Sequence, residues 1–130
     1  MVVLYQNKMI ELDGYFKRVL QQVADSYNVL ENLSDKSGDL DTIKRELAKT
    51  NGLLLALYNK LQSNKQELEG YQYMLKPIRL YLENHEFFRE INTMAPLYSD
   101  DPLRLKNLRL SILSSLQENN LLEHVRTVLK

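Results

Sequence analysis

The chain has 130 residues, with 17 basic and 17 acidic side chains and no cysteine. This length suits one domain with a core of its own, and the balanced charge gives no general attraction toward nucleic acid or anionic lipid. The missing thiols exclude disulfides, thiolate metal sites and a cysteine nucleophile, and they fit a reducing compartment, with the cytosol as the default.

Four glycines and three prolines among many Leu, Lys, Glu, Gln and Asn residues favour helix over sheet, so the expected fold class is all-α. The opening MVVLYQNKMIEL lacks the basic start and long apolar core of a secretory signal. The longest apolar run, Leu53 to Tyr58, is far short of the ~20 residues a spanning helix needs, so a soluble protein without direct membrane insertion is expected.

Stepping alternately by three and four from Val2 meets Tyr5, Met9, Leu12, Phe16, Val19, Val23, Ser26, Leu30 and Leu33, nearly all apolar. Such a repeat predicts a helix over about 3–34, ~48 Å long, with a seam suited to side-by-side, supercoiled packing. Gly14 weakens this helix without ending it. The stretch 34–39, SDKSGD, then stops the pattern: Gly38 can adopt a left-handed conformation, Asp39 or Asp41 can cap the next helix, and the short link predicts an antiparallel return.

A second seam runs from Leu40 through Ile43, Leu47, Thr50, Leu54, Leu57, Leu61, Asn64, Leu68, Tyr71, Leu75, Ile78 and Leu82 to His85. It predicts a longer second helix, with a kink or a new start near Pro77, since an interior proline costs about 3 kcal/mol. The polar positions Thr50 and Asn64 would set register or mark a solvated gap. The expected organisation is an elongated antiparallel helical hairpin or bundle with coiled-coil seams over 1–94, a linker over 95–102 and a C-terminal helical piece over 103–130. In that piece Asp101 and Pro102 suit a cap and first helical position, Leu105, Leu108, Ile112 and Leu116 share a face, Asn119-Asn120 form a break, and Leu121, Leu122, Val125, Val128 and Leu129 make a short amphipathic tail.

Residues with chemical potential are sparse. His85-Glu86-Phe87-Phe88-Arg89 nearly matches the helical zinc-protease signature, but Arg89 stands where a second histidine is required, and His124 lies far along the chain. Neither metal nor cofactor is expected, and Phe87 and Phe88 are read as packing residues. The serines have no activating partner in sequence, and the acidic pairs Asp39/Asp41 and Asp100/Asp101 fit helix caps better than catalysis. Arg104, Lys106 and Arg109 form a basic cluster without interleaved aromatics, a weak nucleic-acid signal, so no nucleic-acid partner is expected. Tyr71, Tyr73 and Tyr81 fit a wide half-exposed interface.

The stretch YQYMLKPIRLYLEN, residues 71–84, resembles a segment of subunit 3 of the conserved oligomeric Golgi complex. In that family a long helix leads into a tyrosine, a leucine, an isoleucine and a leucine-asparagine step before a proline-containing break. Tyr71, Leu75, Ile78 and Leu82 fall in similar places, and Ala95-Pro96 stands for the break. Asn84 comes one residue late, Pro77 interrupts the helix, and the HEFF stretch has no counterpart. The resemblance implies a fragment or reduced relative, peripheral at Golgi membranes, acting in subunit assembly for vesicle tethering, and it carries no catalytic residue.

The functional expectation is therefore a non-enzymatic interaction protein that binds protein partners through its helical seams as a homo- or hetero-oligomer. Leu54, Leu57, Leu61, Leu68, Tyr71, Leu75, Leu82, Phe87 and Phe88 are the expected contact residues. A small helical adaptor or secretion chaperone of bacterial or viral origin is the alternative.

Overall fold

The computed structural model describes residues 2–130, with side chains from Asn7 onward, so the seam positions Val2 and Tyr5 lie outside the described side chains. Among the described residues six α-helices follow one another: α1 (Val2–Glu31), α2 (Asp39–Ser63), α3 (Leu75–Asn84), α4 (Phe88–Met94), α5 (Pro102–Gln117) and α6 (Leu121–Leu129). Among the described residues there is no strand, and the all-α helical bundle read from composition and periodicity is the observed class.

The first two helices form the expected antiparallel pair. Ser26 donates to Glu46 at 2.8 Å, Lys60 lies over the Tyr15 ring and Lys8 pairs with Glu67 at 3.0 Å, so partners advance along one helix as they retreat along the other. Gly38 makes the return with φ of 92°, a conformation strained for any side chain, and Asp35 is also left-handed at 61°. The Asp39 side chain does not cap α2; it turns back to accept the Lys36 N–H at 3.0 Å.

α1 ends without a helix-terminating glycine, and α5 supplies the missing donors. The Arg109 guanidinium donates to the Leu30 and Glu31 carbonyls, both at 3.3 Å, and grips Asp35 with two bonds of 2.7 and 2.9 Å. A cation at a helix C-terminus meets both the unpaired carbonyls and the negative end of the macrodipole.

The long second helix expected from the seam is not continuous. α2 stops at Ser63, turns occupy 64–68 and a 3-10 segment runs from Glu69 to Met74 before α3 begins. Polar side chains hold the stop in place: Asn64 Nδ2 donates to the Lys60 carbonyl and Gln72 Nε2 to the Leu61 carbonyl, each at 3.0 Å. Because a 3-10 turn brings every third residue to the same side, Leu68, Tyr71 and Met74 point inward, and past the break the buried positions are Met74, Ile78 and Tyr81 where the seam had Leu75, Ile78 and Leu82. Leu75 and Leu82 are only half-buried. Pro77 lies in the first turn of α3, where its missing N–H leaves no helical bond unmade, so the proline accompanies a new start rather than a kink.

Coiled-coil packing is also replaced by something broader. On α1 the buried positions include Leu20 and Tyr27 beside the seam residues Phe16, Val19, Val23 and Leu30, an arc too wide for one partner helix. α2, α5 and α6 all pack on α1, while α3 and α4 pack on α2. One apolar core draws residues from all six helices.

The C-terminal elements match their sequence signals. Asp101 caps α5 by accepting the N–H groups of Leu103 and Arg104 at 3.0 and 3.3 Å, with Pro102 just inside the helix. Leu105, Leu108, Ile112 and Leu116 are buried. Asn119 and Asn120 both take positive φ and reverse the chain into α6, which buries Leu121, Leu122 and Val125.

Candidate partner-binding surface

The residues expected to meet a partner are mostly consumed by folding. Leu54, Leu57, Leu61 and Leu68 are buried in the chain's own core, and Tyr71, Leu75, Leu82, Phe87 and Phe88 are half-buried against it. The first four present no surface to another molecule. The two seams meet each other and the overlying helices, which removes the apolar surplus that their length implied.

Tyr71 shows how such a residue is held. Its ring stacks on Phe16 with centroids 4.4 Å apart, and its hydroxyl donates to the Asp13 carboxylate. Burial first, and then the Asp13 charge, push the phenol pKa above its usual value. The same hydrogen bond is the main cause holding the Asp13 carboxyl below its ordinary range, with the Lys17 ammonium 3.1 Å away assisting. Tyr81 is anchored similarly, donating to Asn51 at 2.6 Å, with its pKa raised by burial.

Apolar surface does remain at the start of α1. The pairing of Lys8 with Glu67 and of Asp13 with Tyr71 places residues 8–13 beside the turns that follow α2, so this end of α1 outruns its partner helix. Ile10 is 70% exposed and Met9 36%. They border a depression of about 490 Å³ with Leu68, Gly70 and Tyr71 in its wall. Met9 belongs to the first seam, whereas Ile10 lies beside it and carried no signal until the end of α2 was known.

A second apolar strip lies on α5 opposite its buried face, where Leu103 is 67% and Leu110 45% exposed. Their spacing of seven residues was visible in sequence but was overshadowed by the stronger face of Leu105, Leu108, Ile112 and Leu116.

The chemically suggestive motifs are dispersed. His85 follows the last residue of α3 in extended conformation, so the zinc-protease-like stretch does not lie on one helix. Its Nε2 is 2.9 Å from Glu118 and its ring stacks near Phe87, while His124 packs edge-on against Tyr73. Among the described residues no three metal-ligating side chains gather. Arg109 is buried in its grip on α1, so Arg104, whose guanidinium lies 3.7 Å from the Tyr98 ring centroid, and Lys106 are the exposed members of the basic cluster. Among the described residues no helix is long and apolar enough to cross a membrane.

Comparison with known protein families, curated proteins and solved structures finds no match to this chain.

Proposed function

We propose that this chain is a non-catalytic helical interaction protein that assembles with protein partners, using the start of α1 as its contact surface. The observation that supports this is the overhang of an apolar seam. α1 continues past the end of α2, Met9 and Ile10 stand exposed there, and the sequence carries the same stepping on to Tyr5 and Val2. A helix of a partner laid along this end would take the place that α2 occupies further down, burying the seam in the same manner. Lys8, Asp13, Lys17 and Glu67 form a charged margin beside it, a usual arrangement for an apolar contact with a polar rim. The finer reading, subunit assembly in a vesicle-tethering complex at Golgi membranes, rests on the resemblance of residues 71–84 and is proposed with it.

The test places a photo-crosslinking residue at position 10 in the full chain within its source cells, and another at Lys44 on the exposed face of α2. A discrete protein adduct is expected from position 10 alone, and it should disappear with Met9→Asp. Equal adducts from both positions, or none, would overturn the reading. Identification of the adduct as a tethering-complex subunit is the expected result for the finer form, and any other identity removes that form.

A further inference from the structure

The chain has no cysteine, so its sulfur resides in four methionines. A two-electron oxidant such as a peroxide therefore finds no thiol to attack first, and its sulfur chemistry falls on the thioethers. Exposure among the described methionines is uneven. Met74 is fully buried and Met94 is 3% exposed, both within the core, whereas Met9 is 36% exposed on α1. Met9 also borders the depression of about 490 Å³ walled by Leu68 and Tyr71, next to the exposed Ile10. Among the described residues the accessible thioether thus lies in the apolar surface offered to a partner, and the inaccessible ones lie where the fold depends on them.

We infer that Met9 is an oxidation site through which the contact surface of α1 is switched off and restored. The Met9 sulfur attacks one oxygen of hydrogen peroxide and the O–O bond breaks. That oxygen stays on sulfur as the sulfoxide, and the other leaves as water. The thioether gives up two electrons and the peroxide takes them. A flexible apolar side chain thereby becomes a polar one, and a partner helix laid over it has to strip water from the new oxygen. The core is spared because Met74 and Met94 are shielded, so the contact weakens without unfolding the chain. Methionine sulfoxide reductases reverse the step, and the exposure that admits peroxide also admits the reductase. This switch rests on the reading of the start of α1 as the contact surface and adds a means of controlling it.

The full chain is treated with dilute hydrogen peroxide, freed of it, and digested for mass spectrometry. One oxygen should appear at Met9 about tenfold faster or more than at Met74 or Met94, with circular dichroism and the melting curve unchanged. Treated and untreated chains carrying the photo-crosslinking residue at position 10 are then irradiated in extract from the source cells. Oxidation should lower the yield of the discrete adduct about tenfold, and a methionine sulfoxide reductase should restore it. Met9→Gln, polar from the start, should give the low yield without peroxide. Met9→Leu keeps the other methionines, and its yield, whatever its level, should be the same before and after peroxide. Oxidation of Met74 or Met94 as fast as Met9, or a loss of adduct in Met9→Leu equal to that in the parent, would overturn the inference. An adduct that persists after Met9 is oxidised removes the switch and leaves the proposed function standing, whereas an adduct absent from the untreated chain removes both.

Discussion

Arg109 carries three roles at once: it caps α1, holds the left-handed Asp35 and ties α5 to the hairpin. A buried ion pair gives little net stability compared with an apolar replacement of both partners, yet removal of one partner strands the other. Arg109→Ala should therefore cost about 3–5 kcal/mol in urea unfolding, whereas Arg104→Ala on the surface should cost about 1 kcal/mol or less. In sequence these two arginines sit in one short basic run and look alike, because the carbonyls and carboxylate that select Arg109 come from about 75 residues earlier. The Asp13 and Tyr71 pair makes a prediction in pH. The Asp13 carboxyl is held low in the folded chain, so its contribution is complete above the ordinary carboxylate range and is lost as pH falls through the lowered value. Tyr71→Phe should cost about 1 kcal/mol near neutrality, small because Asp13 is partly exposed, and the difference from the parent should close in acid.

At the scale of elements, caps and left-handed breaks were legible because they are local chemistry: Gly38, Asp101-Pro102 and Asn119-Asn120 each act within a few residues of themselves. The stop of α2 was not legible. Asn64 and Gln72 end that helix by reaching back to its carbonyls, and the 3-10 turns that follow move the buried positions by only one residue, from Leu75 and Leu82 to Met74 and Tyr81, so the apolar period reads straight through the interruption. Gly70, exposed in that segment, and the polar seam position Asn64 were the local signs. The candidate surface was legible only in part, since the length of a seam does not say how many helices will cover it. Leu57 and Leu55 on α2 test the outcome. Leu57 is fully buried, so Leu57→Ala should cost ~2–5 kcal/mol and Leu57→Asp should unfold the chain. Leu55→Asp, on the exposed side two residues away, should stay within about 0.5 kcal/mol of the parent in the same thermal melts. A Leu57→Asp chain that remained folded would place this seam at a partner interface after all.

At the scale of the whole molecule, the packing decides whether residues 1–94 can stand without the C-terminal helices. Leu105, Leu108 and Ile112 of α5 and Leu121 and Val125 of α6 are buried in the same core as Leu20, Val23, Leu30 and Leu57. Removal of residues 95–130 would bare that side of α1 and α2 and take away the arginine that caps α1. Uncovered apolar area costs about 25 cal/mol per Å², which for several large side chains approaches the roughly 5–15 kcal/mol that typically holds a domain together. The fragment 1–94 is therefore expected to keep much of its helix by circular dichroism while losing a cooperative melt and binding a hydrophobic dye, the behaviour of a compact state without fixed packing. The intact chain, by contrast, should unfold in one transition, with circular dichroism and tyrosine fluorescence changing together, because a single core leaves no part to melt alone. A fragment 1–94 that melted sharply and left the dye dark would mean that α5 and α6 decorate a hairpin already complete, and the arc of buried residues on α1 would need another explanation.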